Sequence, residues 1–100
     1  MTLFQEKVWS ACKLIPKGRI STYALIAKKT GNKNSSRAVG NALNKNPFAP
    51  VVPCHRVVKS DSSLGGFASS SKNKKLLLER EGIKVKSFKV VDFEKVLFKF

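Results

Sequence analysis

With 100 residues, the chain can bury one hydrophobic core but not a second independent one. Its 42% hydrophobic content, seven Phe included, excludes a disordered tail, and no apolar run approaches the roughly 18 residues that cross a bilayer. Lys plus Arg number 20 against 6 for Asp plus Glu, a formal charge of +14 that exceeds what solubility requires and points to a polyanion, nucleic acid ahead of a membrane surface.

The first predicted element is a helix over residues 3 to 14. Thr2 and Gln5 have the spacing of a capping box, and Phe4, Val8, Ala11, Cys12 and Ile15 recur at helical period until Pro16 and Gly18 stop the pattern. The start, MTLFQEKVW, lacks the charged end and apolar centre of a secretory signal, so an intracellular protein is expected, cytoplasmic or, in a eukaryote, nuclear. Ser21 or Thr22 can cap a second short helix over residues 23 to 29, closed by Gly31 and the turn-forming Asn32, Lys33 and Asn34. A third helix, capped by Ser35 or Ser36, runs from residue 37 to about 45 and stops at Asn46-Pro47. Two short helices across a tight polar turn have the pattern of a helix-turn-helix, which the basic charge strengthens.

Pro47, Pro50 and Pro53 keep the next segment, FAPVVP, extended as it leads into Cys54. Residues 59 to 66, rich in Ser and Gly, read as a surface loop able to close over a site. Ser70 or Ser71 can start a last clear helix through Leu76, Leu77 and Leu78 to Glu81, with Gly82 as a left-handed stop. From residue 83 to the end, strand-like alternation and helical spacing are mixed, and the pattern decides neither. The expected fold class is α+β or mainly α, a small single domain with a helix-turn-helix and a short extended active-site segment.

The two cysteines differ in context. Cys12 falls on the apolar stripe of the first helix, where a thiol is buried and inert. Cys54 stands beside His55, the chain's one imidazole, on a backbone stiffened by proline. A thiolate attacks carbon centres, and an imidazole makes its formation easier at neutral pH. Two cysteines and one His, with no CxxC pair, do not make a disulfide framework or a structural zinc site, and no cofactor or metal is expected.

PVVPCHRVV, preceded by SRAVGNALNKNP and followed by LGGF, resembles the active-site domain of the O6-alkylguanine-DNA alkyltransferases. The similarity extends from Phe4 and Val8 through IPKGRISTYALIA to LLLEREG. The resemblance implies DNA repair by irreversible transfer of an alkyl group from O6 of a flipped guanine in duplex DNA to Cys54, one transfer per molecule. In it, His55 deprotonates Cys54 through water, and Glu81 orients and charges the histidine. Tyr23 contacts the flipped base and protonates the leaving guanine, and Asn46 fixes the turn between recognition helix and active-site strand. Arg37 enters the duplex where the target nucleotide was.

Ala38, Gly40, Asn41 and Ala42 complete the DNA-binding helix, the small residues letting it approach the minor groove or, equally, pack tightly on a neighbouring helix. That groove carries a degenerate base code, which suits inspection of guanines in any sequence. The resemblance also implies that Val57, Phe67 and Ala68, with Tyr23, form the base pocket. Phe67 and Ala68 stand where many relatives carry Tyr and Ser, so two hydroxyl groups are missing there. The N-terminal domain usual in the family is also missing from this sequence, and a monomer acting on double-stranded DNA, with no membrane partner, is expected.

Two other readings fit parts of the pattern. A non-catalytic alkyltransferase-like sensor of alkylated DNA is equally short, but another residue, commonly Trp, replaces its nucleophile, and Cys54 argues against it. A helix-turn-helix regulator would need a dimerisation segment and a base-reading set that are not evident. A cysteine hydrolase has less support still.

Overall fold

The computed structural model describes residues 2–31, 36–45, 52–64 and 68–100. Helix α1, Leu3–Lys13, opens with the full capping box: Thr2 accepts from the Gln5 amide while the Gln5 side chain accepts from the Thr2 amide. Val8, Trp9, Ala11 and Cys12 are buried along its inner face, and Gly18, at φ +85°, supplies the left-handed turn that leads out of it. Strand β1, Ser21–Thr22, runs straight into helix α2, Tyr23–Lys29. Of the two candidate caps it is Thr22 that acts, its hydroxyl accepting from the Leu25 amide. Helix α3, Ser36–Asn44, begins one residue before the predicted start, so Ser36 is inside it, and the position that would cap it lies outside the described residues.

The active-site segment is only partly extended. Cys54–Arg56 form one turn of 3₁₀ helix, with Arg56 N–H donating to the Pro53 carbonyl (2.9 Å), and strand β2, Val57–Val58, follows. Strand β2 lies parallel to β1, pairing Ser21 with Val57 and Thr22 with Val58. Successive strand side chains face opposite ways, and here they divide the core. Val57 joins a cluster with Val8, Ile26 and Val39 from α1–α3 and Ile15 just past α1, while Val58 joins Ile20, Leu64, Leu78, Ile83 and Val90 on the other side.

Helix α4, Ala68–Arg80, starts earlier than Ser70 or Ser71. A run of serines offers several equivalent caps, whereas Ala is a strong helix former, so the boundary was not specified by cap preference alone. Its end is specified. Ile83 N–H bonds the Leu78 carbonyl and Gly82 N–H the Glu79 carbonyl, a Schellman pattern around Gly82 at φ +87°, sealed by buried Leu78 and Ile83.

The ambiguous tail contains both kinds of structure. Strands β3, Val85–Lys86, and β4, Lys89–Val90, form an antiparallel hairpin, followed by the short helix α5, Phe93–Val96. Leu97 then bridges Ile20 beside β1, and Arg19 donates to the carbonyls of Val96 and Leu97. Among the described residues, no helix is long and apolar enough to cross a membrane.

Candidate active site and nucleic-acid interface

The 3₁₀ turn seats Cys54 half-buried against the α1–α3 core and turns His55 inward, where it is 8% exposed. The Schellman end of α4 holds Glu81 at the helix cap, facing this turn. His55 Nε2 lies 3.1 Å from Glu81 Oε1, at ion-pair distance but without the alignment of a formed hydrogen bond. Arg56 holds the same carboxylate with a fork: Nε donates to Oε1 at 2.9 Å and to Oε2 at 3.2 Å, and Nη2 donates to Oε2. Arg56 Nη1 also donates to the Ile15 carbonyl at 2.9 Å, tying the turn to the end of the first helical segment. Such a planar fork fixes a carboxylate in both position and charge.

Burial dominates His55 and lowers its pKa from 6.5, outweighing the opposite pull of Glu81; Arg56 and Lys74 push it further down. Glu81 does pull the histidine's pKa up, as a nearby carboxylate should, but desolvation is the larger effect and the net shift is downward. A neutral imidazole at neutral pH can accept a proton, as a base must. Burial raises the Glu81 carboxyl, but hydrogen bonds from Arg56 and contact with His55 bring it below its usual 4.5. Cys12, fully buried, is pushed up to about 12, chiefly by burial, which keeps it a thiol.

These directions set the acid response of the fold. Unfolded His55 binds its proton near 6.5 and folded His55 only at lower pH, so in between the unfolded state holds more protons and stability falls as pH drops. The depressed Glu81 adds a loss of the same sign lower down, below its usual 4.5. The urea midpoint should therefore decrease from about pH 7 to about pH 5, and His55→Gln should flatten that slope. An equal slope in the variant would contradict the assignment.

Tyr23, the first residue of α2, is half-buried, and Lys74 from α4 reaches it. The Lys74 ammonium donates to Tyr23 Oη at 3.2 Å, to the Val57 carbonyl at 2.7 Å and to the Leu64 carbonyl at 3.4 Å, 5.6 Å from the Tyr23 ring centre. Tyr23, Arg37, Gly40, Lys59 and Ser60 line a cleft of about 340 Å³.

On α3, Arg37 and Asn41 are exposed one turn apart, and Ala38 and Gly40 are half-buried. A Cβ added at Gly40 would meet the Tyr23 ring at 3.9 Å, so this glycine lies against α2 at ordinary contact distance. Ala42 departs from the expected groove-facing set. It is 3% exposed, packed in the core, with its carbonyl accepting from Trp9 Nε1 at 2.9 Å, so helix packing explains its small size. Val57 is buried and offers its carbonyl, Ala68 opens α4, and Asn46 and Phe67 lie outside the described residues. Arg56 and Lys74 were not singled out in the sequence. Lys74, Leu78 and Glu81 fall at i, i+4 and i+7, so the buried Leu78 marked the face on which both polar residues lie.

Two short helices, α2 and α3, packed beside a cysteine-bearing turn belong to a DNA-binding class: residues 3–83 match the family model described as "6-O-methylguanine DNA methyltransferase, DNA binding domain". The chain belongs to that family. A methylated-DNA–protein-cysteine methyltransferase of Methanosarcina acetivorans is 52% identical over 81 residues, covering 81% of this chain and 52% of that protein. The Mycobacterium tuberculosis OGT solved in complex with DNA superposes with a TM-score of 0.77 at 42% identity, over 81% of this chain and 50% of that one. S. pombe Atl1, solved with damaged DNA containing O6-carboxymethylguanine, matches over 100% of both chains with a TM-score of 0.86 at 29% identity. The chain spans about half the length of the curated relatives it matches.

Proposed function

We propose that this protein repairs duplex DNA by moving an alkyl group from O6 of an extruded guanine to Cys54, once per molecule. The observation that carries the reading is that Cys54 shares a turn with His55, buried and of lowered pKa, and that this turn faces the arginine-held carboxylate at the end of α4. His55 takes the thiol proton through water, and Glu81 stabilises the imidazolium that results. The sulfur then bonds to the alkyl carbon as the bond from that carbon to O6 breaks. Tyr23 returns a proton to the departing guanine, and the Lys74 ammonium on its hydroxyl stabilises the oxygen left behind. The thioether formed is inert to water and to cellular thiols, so no step resets Cys54.

Arg37 occupies the space vacated by the flipped nucleotide, and the basic surface neutralises phosphates on either side. Affinity for undamaged duplex should fall by about 0.9 log unit per log unit of salt for each phosphate neutralised. Arg37→Ala should slow repair of methylated duplex by about tenfold or more while leaving reaction with free O6-benzylguanine within about twofold, because the free base needs no extrusion. Equal losses on both substrates would make Arg37 a folding residue instead.

The second reading, a sensor that binds alkylguanine and transfers nothing, draws support from the full-length likeness to S. pombe Atl1. Cys54 opposes it. Incubation with O6-benzylguanine separates the two: a benzyl adduct on the Cys54 peptide supports repair, and lesion binding without an adduct supports the sensor.

A further inference from the structure

Residues 84–100 lie beyond the 3–83 family match but within the likeness to S. pombe Atl1, which covers the whole chain. In this tail the β3–β4 hairpin grips the loop that follows β2. Leu64 N–H donates to the Phe88 carbonyl and Val90 N–H to the Ser62 carbonyl, both at 2.9 Å, with Ser63 and Lys89 forming an antiparallel bridge between them. Val90 and Leu64 are also buried in one apolar cluster.

Among the described residues, the non-glycine positions with left-handed backbone are Ser62 (φ 74°), Ser87 (51°), Phe88 (59°) and Asp92 (56°). All four lie in the tail or in the loop it grips. Left-handed backbone is costly for L side chains, most of all for a bulky one such as Phe88, and it persists only where the surroundings enforce it. The gripped Leu64 offers its carbonyl to Lys74, whose ammonium also holds Val57 and the Tyr23 hydroxyl. The strained contact is thus two hydrogen bonds away from the residue assigned to the leaving base.

We infer that the C-terminal hairpin is a clasp that positions the base pocket: by fixing Leu64 it keeps Lys74 on Tyr23, and it thereby sets affinity for the alkylguanine base. The inference deepens the proposed repair function and rests on it. Phe88, Ser62 and Leu64 are positioning residues, acting through Lys74 and Tyr23 rather than on the base. The clasp governs how well the base is held. The thiol's own reactivity, set by the turn at Cys54–Arg56, is independent of it.

The hairpin turn gives a way to loosen or tighten the clasp from outside the core. Ser87 and Phe88 are exposed and both have positive φ, as in a type I′ turn, which favours Asn-Gly. Ser87→Pro forces φ to about −65° and opens the turn, whereas Ser87→Asn with Phe88→Gly relaxes it in place. Tyr23 is the only tyrosine, so its ring signals in NMR spectra are unambiguous.

In full-length S87P that retains a cooperative thermal transition, Tyr23 signals should shift and Leu64 amide exchange should quicken. The half-saturating O6-benzylguanine concentration should rise about tenfold and the limiting transfer rate should fall, because Tyr23 loses Lys74, while the iodoacetamide rate at Cys54 changes less than about twofold. The S87N/F88G pair should show slower Leu64 exchange together with tighter base binding. Unmoved Tyr23 and Leu64 signals in S87P overturn the clasp, as does an unchanged half-saturation once those signals have moved. Should S87P fail to fold, slower Leu64 exchange in S87N/F88G without tighter base binding overturns it instead. A wild-type chain that never accepts the benzyl group overturns the transfer reading alone, because equilibrium dialysis of the same base still reports whether the hairpin controls its binding.

Discussion

Cys54→Ser is expected to abolish alkyl transfer while leaving binding to methylated duplex within about twofold of wild type, since the hydroxyl nearly preserves size. The loss should be at least about a thousandfold, because a serine hydroxyl is far harder to ionise than a thiol and is the weaker nucleophile. Neither the basic surface nor Arg37 depends on the sulfur atom. The other cysteine cannot substitute: Cys12 is fully buried, with a pKa pushed up to about 12. Gel-shift titration and a transfer assay on one oligonucleotide would separate the two effects. Residual transfer within about tenfold of wild type would place the acceptor elsewhere.

Glu81→Ala should be the most destabilising single change in the site. It removes the carboxylate that Arg56 grips with two nitrogens and that His55 approaches at 3.1 Å, and it leaves the arginine, 15% exposed, without its anionic partner. Breaking a buried pair from one side costs about 3 kcal/mol or more, a large part of the roughly 5–15 kcal/mol that a small domain has. Arg56→Ala combined with Glu81→Ala should cost less than the sum of the two single changes, since the second removal takes away a group already stranded by the first. The neighbouring exposed Glu79→Ala should stay within about 0.5 kcal/mol. Urea midpoints of the four variants measure this, and a loss under about 1 kcal/mol for Glu81→Ala would contradict the structural role. Transfer should slow as well, because His55 loses the charge that stabilises its protonated form.

Where local chemistry decides a structure, the sequence was readable. The capping box at Thr2 and Gln5, the start of α2 at Tyr23 and the stop at Gly82 rest on contacts within a few residues, and each lies where its residues indicate. The hairpin at 85–90 was not readable. Ser-Phe is a poor pair for a turn with positive φ, and tertiary contacts with residues 62–64 enforce what local preference opposes. The 3₁₀ turn at Cys54–Arg56, just past the segment read as extended, was not readable for a related reason, as prolines restrict the residues before them but say little about those after Pro53.

In the site, family motifs supplied Cys54, His55, Glu81, Tyr23 and Arg37, but not the electrostatics. Whether burial or the carboxylate wins at His55 depends on how deeply the turn sits, which no spacing encodes. Lys74 was hidden among twenty basic residues and is distinguished only by what it reaches. Ala42 shows the converse: a small residue on α3 suited groove contact and core packing equally, and burial decided for packing.

Stoichiometry is the most direct test of the central claim. Limiting protein is mixed with an excess of duplex carrying one O6-methylguanine, and both intact protein mass and repaired DNA are followed to completion. One methyl group should appear per protein molecule, on the peptide containing Cys54, with repaired DNA reaching a plateau equal to the active protein added. Continued repair beyond that plateau, or an unmodified Cys54 once the DNA has been repaired, would contradict irreversible transfer to this residue.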